Sequence, residues 1–480
     1  MFKRIKLKLS VTLAALIVTA VLFLLFIMAG YPAKANETTD GNGLIEDISK
    51  TTDKKMSDEE ISVHDARYER QEDGIWHLKK VPSLIRLYKS IKTGLKYPIG
   101  LNRAGSDGID LYTVKAGSIR FMKSVRETAE KELGAKAVCM FVGDLMCLKG
   151  QQYAAEVKGG YDFYPMYSTV EPVFKTADFV CGNLETLLSD SNSLTKNQVS
   201  ASNGQPQCNG PKIYLNALRK AGFDMVVTAN NHTCDWGATG ITETKTHLDE
   251  YGFANVGTHY YKKDENKAGE RFSIFDVNGI NIAVLSYTHL INQRGYLSSS
   301  EMSVMVHAFN RDTVKADIAA AKEKGADFIV VYCHWGIENT EELNSTQTSD
   351  AKFLADNGAD LIIGSHPHCL QRCEYIRAES GKKVLCMYSM GNFCSSMARD
   401  INNDTIILRV VIERRNGKTE MGYHMGEAAY IPCRVTVKNG KSWVVVPTSS
   451  KLNGGTSNGD LKAAESRIDK IMNNVIPKYQ

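Results

Sequence analysis

From Lys136 onward, short apolar runs alternate with amphipathic stretches of helical period. The runs cover 137–142, 178–181, 224–229, 280–287, 327–332, 360–363 and 384–388, and helical stretches cover 211–221, 240–251, 312–324 and 348–357. That alternation predicts an α/β domain with much parallel strand pairing. Asn278-Gly279 between two β-like runs predicts a hairpin, so part of the sheet is antiparallel. Residues 404–448 read as β-rich with a second turn at Asn416-Gly417, and 460–478 as a terminal helix. Upstream, Leu84, Ile85, Leu87, Tyr88 and Ile91, then Ile119, Phe121, Met122 and Val125, predict short helices packed on the main domain. Residues 36–75 are rich in Asp, Glu, Lys, Thr and Ser and predict a solvated tether. The domain plan is thus 1–35, a 36–75 tether, a 76–135 helical extension, a 136–400 main domain and a 401–480 β-rich part with its terminal helix.

Residues 9–33 contain no charged side chain. As a helix, these 25 positions would reach roughly 37 Å, more than the ~30 Å hydrocarbon core of a bilayer. Lys3, Arg4, Lys6 and Lys8 precede them and hold that end in the cytoplasm, which sends the bulk of the chain outside. The expectation is a single-pass anchor with an extracellular C-terminal domain. Ala33-Lys34-Ala35 offers the alternative of a cleaved secretory signal and a secreted product.

The net charge of +4 arises from 58 basic and 54 acidic residues, and the four N-terminal cations account for it. No overall basic field attracts nucleic acid. Eleven cysteines include no Cys-x-x-Cys pair, so a zinc ribbon or thioredoxin-type site is unsupported. Cys139, Cys181, Cys333 and Cys386 lie in apolar runs and read as small buried hydrophobes. One or two disulfides remain open, with Cys208 or Cys234 in polar loops as partners.

In open α/β sheets, ligands bind at the carboxyl ends of strands, so the residues that follow each run carry the chemistry. These are Gly143-Asp144, Asn183 and Glu185, Asn230-Asn231-His232, His334, and His366-Pro367-His368. Carboxylate, amide and imidazole donors from five segments suit Mn, Fe or Zn and argue against a thiolate-rich structural site. In the last motif, Pro367 is expected to hold His366 extended, so that both imidazoles point the same way and reach two ions.

The motifs resemble the calcineurin-like metallophosphoesterase superfamily and, within it, the CapA family of poly-γ-glutamate capsule synthesis proteins. The resemblance covers roughly 137–398. It is carried by Phe-Val-Gly-Asp-Leu-Met at 141–146, Gly-Asn-Leu-Glu at 182–185, Ala-Asn-Asn-His at 229–232 with Asp235 and Gly237, His-Trp-Gly-Ile-Glu at 334–338, Gly-Ser-His-Pro-His at 364–368 and Tyr-Ser-Met-Gly-Asn-Phe at 388–393. It implies a mixed-sheet sandwich with helices outside. It also implies a metal site of Asp144, Glu185, Asn231, His334, His366 and His368, catalytic roles for His232, Asp235 and Glu338, and supporting roles for Asn183 and Asn392.

Two departures from the superfamily pattern matter. Met146 stands where a ligand histidine is expected, and the bridging aspartate is missing, with Asn183 or Glu185 in its region. The need for negative charge between two cations favours Glu185. One ion is therefore expected to bind firmly and a second weakly or not at all. The function implied is synthesis or export of an anionic polymer such as poly-γ-glutamate, with membrane capsule-synthesis subunits as partners. An exported metal-dependent phosphoesterase or amide hydrolase, and a non-catalytic polymer-binding scaffold, are the alternatives.

Overall fold

The computed structural model describes residues 67–70, 73–78, 136–197, 204, 206–261, 269–415, 418–421, 428–438 and 442–479, all within one compact unit. The uncharged span at 9–33 and the helices expected in 79–135 lie outside the described residues. Among the described residues, no helix is long and apolar enough to cross a membrane.

Two mixed sheets form the framework, with strands numbered in chain order. The first has the order β1 (Tyr68–Arg70), β2 (Ile75–Leu78), β9 (Phe272–Val277), β10 (Ile280–Thr288), β11 (Phe328–His334), β12 (Leu361–Ser365), β14 (Lys383–Met387) and β13 (Cys373–Arg377). The second runs β19 (Ser442–Pro447), β18 (Ala428–Lys438), β16 (Asp404–Arg415), β3 (Lys136–Leu145), β6 (Phe179–Leu184), β7 (Met225–Val227) and β8 (Ala254–Val256). In it, β15 (Asn392–Cys394) also pairs with β3, and β17 (Lys418–Met421) with β16. A small hairpin, β4 (Glu156–Val157) and β5 (Gly160–Tyr161), stands apart.

Each sheet has a parallel half, β10-β11-β12-β14 in the first and β3-β6-β7-β8 in the second. Their strands read as nearly unbroken apolar runs because both faces are covered. Between the sheets, Phe141, Phe179, Ile406 and Leu408 of one meet Ile282, Val330, Ile363 and Leu385 of the other in a single core. The Tyr332 hydroxyl crosses that core and donates to the carbonyls of Val142 and Cys181.

Helices cover the outer faces. Helix α1 (Tyr214–Ala221) packs on the second sheet, while α2 (Arg311–Glu323) and α3 (Ser345–Asn357) pack on the first. Local signals set their ends: Asn344 caps α3 by accepting from the Gln347 amide, and Gly358 ends it at φ 102°. Asn278 and Gly279, both at positive φ, form the expected β9-β10 hairpin. Asn416 and Gly417 lie outside the described residues, although β16 and β17 on either side pair antiparallel.

Two expectations change. Tyr68–Arg70 and Ile75–Leu78, assigned to the tether and to the start of the helical extension, are strands that extend the first sheet at its edge. Tyr68 is buried and sets its ring edge-on against Phe179 and Phe275, which offsets the polar character of its neighbours. All eleven cysteines are buried and free, so Cys208 and Cys234 form no disulfide.

Candidate functional site

The carboxyl ends of β3, β6, β7, β11 and β12 meet at one edge of the sandwich. Asp144, the penultimate residue of β3, has an asparagine in register on each side, Asn183 of β6 and Asn392 of β15. A Cβ at Gly143 would overlap the Gly391 carbonyl oxygen, so glycine lets that carbonyl accept the Asp144 amide at 3.0 Å. Asn183 Nδ2 donates to Asp144 Oδ1 at 2.7 Å, and Asn392 Oδ1 lies 2.9 Å from His368 Nδ1. Both supporting asparagines thus orient a neighbour in the cluster.

His334 ends β11 opposite Ser365 of β12, whose hydroxyl lies 2.9 Å from His334 Nδ1. The other ring nitrogen is 2.9 Å from Asn231 Oδ1 and 3.2 Å from His366 Nδ1. His366 and His368 take φ of +95° and +56°, so the extended tripeptide expected around Pro367 is not formed. The His366 amide instead turns back to Asp144 Oδ2 at 3.3 Å, a bond that an extended chain would not make. Such φ values are costly for non-glycine residues and are held by the surrounding bonds.

The six expected ligands are all buried. Ligand atoms of Asp144, Glu185 and His368 lie within 4.8 Å of one another, as do those of Glu185, His334 and His366. Glu185 is common to both groups, its Oε1 3.5 Å from His334 Nε2 and 3.6 Å from His368 Nε2. Neither Glu185 oxygen has a hydrogen-bond partner. Burial, then the charge of Asp144, push its carboxyl well above the usual range. Burial and the neighbouring imidazoles push His334 well below the ordinary histidine value, and His366 falls to about 3, so both rings are neutral donors.

An acidic side chain in a protein interior with both oxygens orphaned, beside neutral imidazoles and a second carboxylate, fits a divalent cation. Met146 is buried, and its contribution here is a backbone carbonyl that accepts from Gln151 Nε2 and the Tyr214 hydroxyl.

Beside this cluster, Asn230 shapes the turn after β7. Its Oδ1 accepts the His232 amide, and its Nδ2 donates to the Leu184 carbonyl. His232 Nδ1 lies 2.7 Å from Asp235 Oδ2. Burial lowers the His232 pKa, but Cys208 and Asp235 outweigh it, and the net shift is well upward. Glu338 stands apart: it is exposed, on the loop after β11, and its carbonyl accepts from the Thr340 hydroxyl. Ser365 and Cys208 were not singled out as site residues from sequence, and Asn230 was read there only as part of the Asn230-Asn231-His232 strand end. For Ser365 the available signal was its place just before His366 at a strand end.

The family described as bacterial capsule synthesis protein PGA_cap matches residues 138–397. The chain is 29% identical over 277 residues to the PGA biosynthesis protein CapA of Bacillus subtilis, which covers 58% of this chain and 68% of that protein. It is 29% identical over 287 residues to the capsule biosynthesis protein CapA of Bacillus anthracis, covering 59% and 65%. The chain thus spans about two thirds of the length of these relatives. Similar solved structures include the NAD nucleotidase NadN of Haemophilus influenzae, at 12% identity and a TM-score of 0.39 over 70% of this chain and 56% of that one. Another is the calcineurin-like phosphoesterase YfkN of Bacillus subtilis, at 11% identity and 0.35 over 71% and 99%. With more than half of its length matched, the chain belongs to the PGA_cap family of bacterial capsule synthesis proteins.

Proposed function

We propose that the protein acts in capsule biosynthesis on an anionic, poly-γ-glutamate-like polymer, from a divalent-metal site at the sheet edge. The observation that carries this reading is Glu185, buried, unpartnered and shared by two ligand groups. Asp144, Glu185 and His368 would hold one ion, and Glu185, Asn231, His334 and His366 the other. Such an ion supplies positive charge that polarises a phosphoryl or acyl oxygen and acidifies bound water. His232, oriented by Asp235, holds a proton at the rim of the cluster and would deliver it to a leaving group. Asn183 and Asn392 keep Asp144 and His368 in place. Because Met146 supplies no hard ligand, the Asp144 side is the weaker one.

The uncharged span at 9–33 supports placing this domain outside the cell on a membrane anchor, near membrane subunits of a capsule-synthesis assembly.

The test combines metal analysis with two variants. His366→Ala should lose the firm ion and abolish capsule formation in a folded protein. His232→Ala should keep its metal and lose turnover, as a group serving the transition state does. Full biological activity of His232→Ala, together with indifference to chelation, would leave a polymer-binding scaffold instead.

A further inference from the structure

We propose that Cys208, His232 and Asp235 form a third metal site, distinct in chemistry from the two groups around Glu185. It would take one borderline or soft divalent cation, such as Zn²⁺, Co²⁺ or Cd²⁺, through a thiolate. The Cys208 sulfur, a His232 ring nitrogen and an Asp235 carboxylate oxygen lie within 4.8 Å of one another. All three residues are buried, at 1%, 4% and 0% exposure.

A second observation points the same way. Asp235 Oδ2 accepts the Cys208 amide at 2.6 Å and faces His232 Nδ1, whereas Oδ1 is buried with no partner. A buried carboxylate oxygen left without a donor is costly, and a cation bound beside it removes that cost. The sulfur decides which cation. The groups around Glu185 offer only nitrogen and oxygen, while a thiolate selects zinc-like ions over manganese or magnesium. Binding releases to solvent both the thiol proton and the proton on the coordinating His232 nitrogen, and three protein ligands leave a fourth position for water. Cys139, Cys181 and Cys333 sit within strands among apolar side chains, whereas Cys208 lies on the segment that meets the His232 turn. An ion held here would engage His232, so excess zinc should inhibit. That consequence rests on the proposed catalytic role of His232, whereas the site itself does not.

Titration of the purified chain with cobalt tests the site without reference to activity. The expected result is a sulfur-to-cobalt charge-transfer absorption that saturates at the intensity of one thiolate-bound cobalt per chain, with further cobalt taken up by the nitrogen and oxygen groups around Glu185. Cys208→Ser should abolish it, with a loss of affinity no less than the roughly tenfold that a lost outer-shell partner costs. Cys147→Ser should keep it. No such absorption in the unaltered protein, or its survival in folded Cys208→Ser, overturns the proposal. If Cys208→Ser does not fold, anomalous scattering from cadmium-soaked crystals of the unaltered protein decides. A peak bonded to the Cys208 sulfur supports the site, and peaks confined to the Asp144, Glu185 and histidine groups overturn it.

Discussion

Glu185 concentrates the cost of the site in one side chain, because both of its oxygens are buried without a donor. Replacing it with glutamine keeps the shape and removes the charge. In the presence of chelator, Glu185→Gln should therefore unfold at a higher temperature than the unaltered protein, by an amount equivalent to about 1 kcal/mol. On addition of manganese, which the thiolate group does not favour, only the unaltered protein should gain stability, and calorimetry with and without manganese reads both effects. Equal metal affinity in the two proteins would remove Glu185 from the site. Ser365 offers a milder test, since its hydroxyl orients His334 from outside the donor set. Ser365→Ala should weaken metal binding by roughly 10 to 100-fold while the fold stays intact, as measured by competition with a chromogenic chelator. Much of this cluster was legible as polar residues after apolar runs, because strand ends gather ligand-binding groups. Two of its features were not. The positive φ of His366 and His368 depends on tertiary bonds such as the one to Asp144, and Cys208 has no neighbouring pattern that places it beside His232.

At the scale of elements, the buried parallel strands were visible as apolar runs, whereas β1 and β2 were not. They are short strands at the margin of the first sheet, β1 at its edge and β2 between β1 and β9, and distant partners hold them. Arg67, just before β1, donates from Nε to Asp224 Oδ1 at 2.6 Å and from its terminal nitrogens to the carbonyls of Ala177 and Gly222. Asp224 is buried, so Arg67→Ala leaves its carboxylate short of a counter-charge and should cost about 3 kcal/mol in urea unfolding. A loss below about 0.5 kcal/mol would mean that the pair contributes nothing measurable. A second element-scale effect lies where the segment after β8 meets the segment before α2. His259 Nε2 sits 2.7 Å from His307 Nε2, and the His307 ring also contacts the Ser286 carbonyl. Burial, then Lys245 and Arg271, lower His259 to about 4, and burial keeps His307 well below its ordinary value. Both rings bind protons more readily when unfolded, so their contribution is complete above about pH 6.5 and declines as pH falls toward 4. His259 alone accounts for about 3 kcal/mol at most. Chemical denaturation across that window should show the decline, and His259→Gln should flatten it.

At the scale of the molecule, the family match ends at 397, yet the second sheet does not. Strand β16 lies beside β3 over Leu408–Phe141 to Glu413–Lys136, so the strand that delivers Asp144 is paired on that side by residues beyond the match. Ile406, Leu408 and Val410 join the core between the sheets, and Ile407 packs on the outer face. Charge pairing holds the same region together. Arg434 of β18 bonds Asp404 and Asp460, and Arg467 of the terminal helix Gly459–Met472 bonds Asp404 again. The division at residue 400 read from the pattern of apolar runs therefore marks a change from parallel to antiparallel pairing within one sheet, and it separates no independent core. A chain of residues 136–400 should accordingly fail to fold: it exposes one edge of β3 and loses several buried aliphatic side chains at about 1.5 to 3 kcal/mol each. A chain of residues 56–480 keeps both sheets, and it should melt cooperatively and bind metal. Circular dichroism and metal titration on the two chains distinguish the cases. A cooperative melt and intact metal binding in 136–400 would show that the site is carried by the first sheet and the parallel half of the second, with the C-terminal strands serving only as a cover.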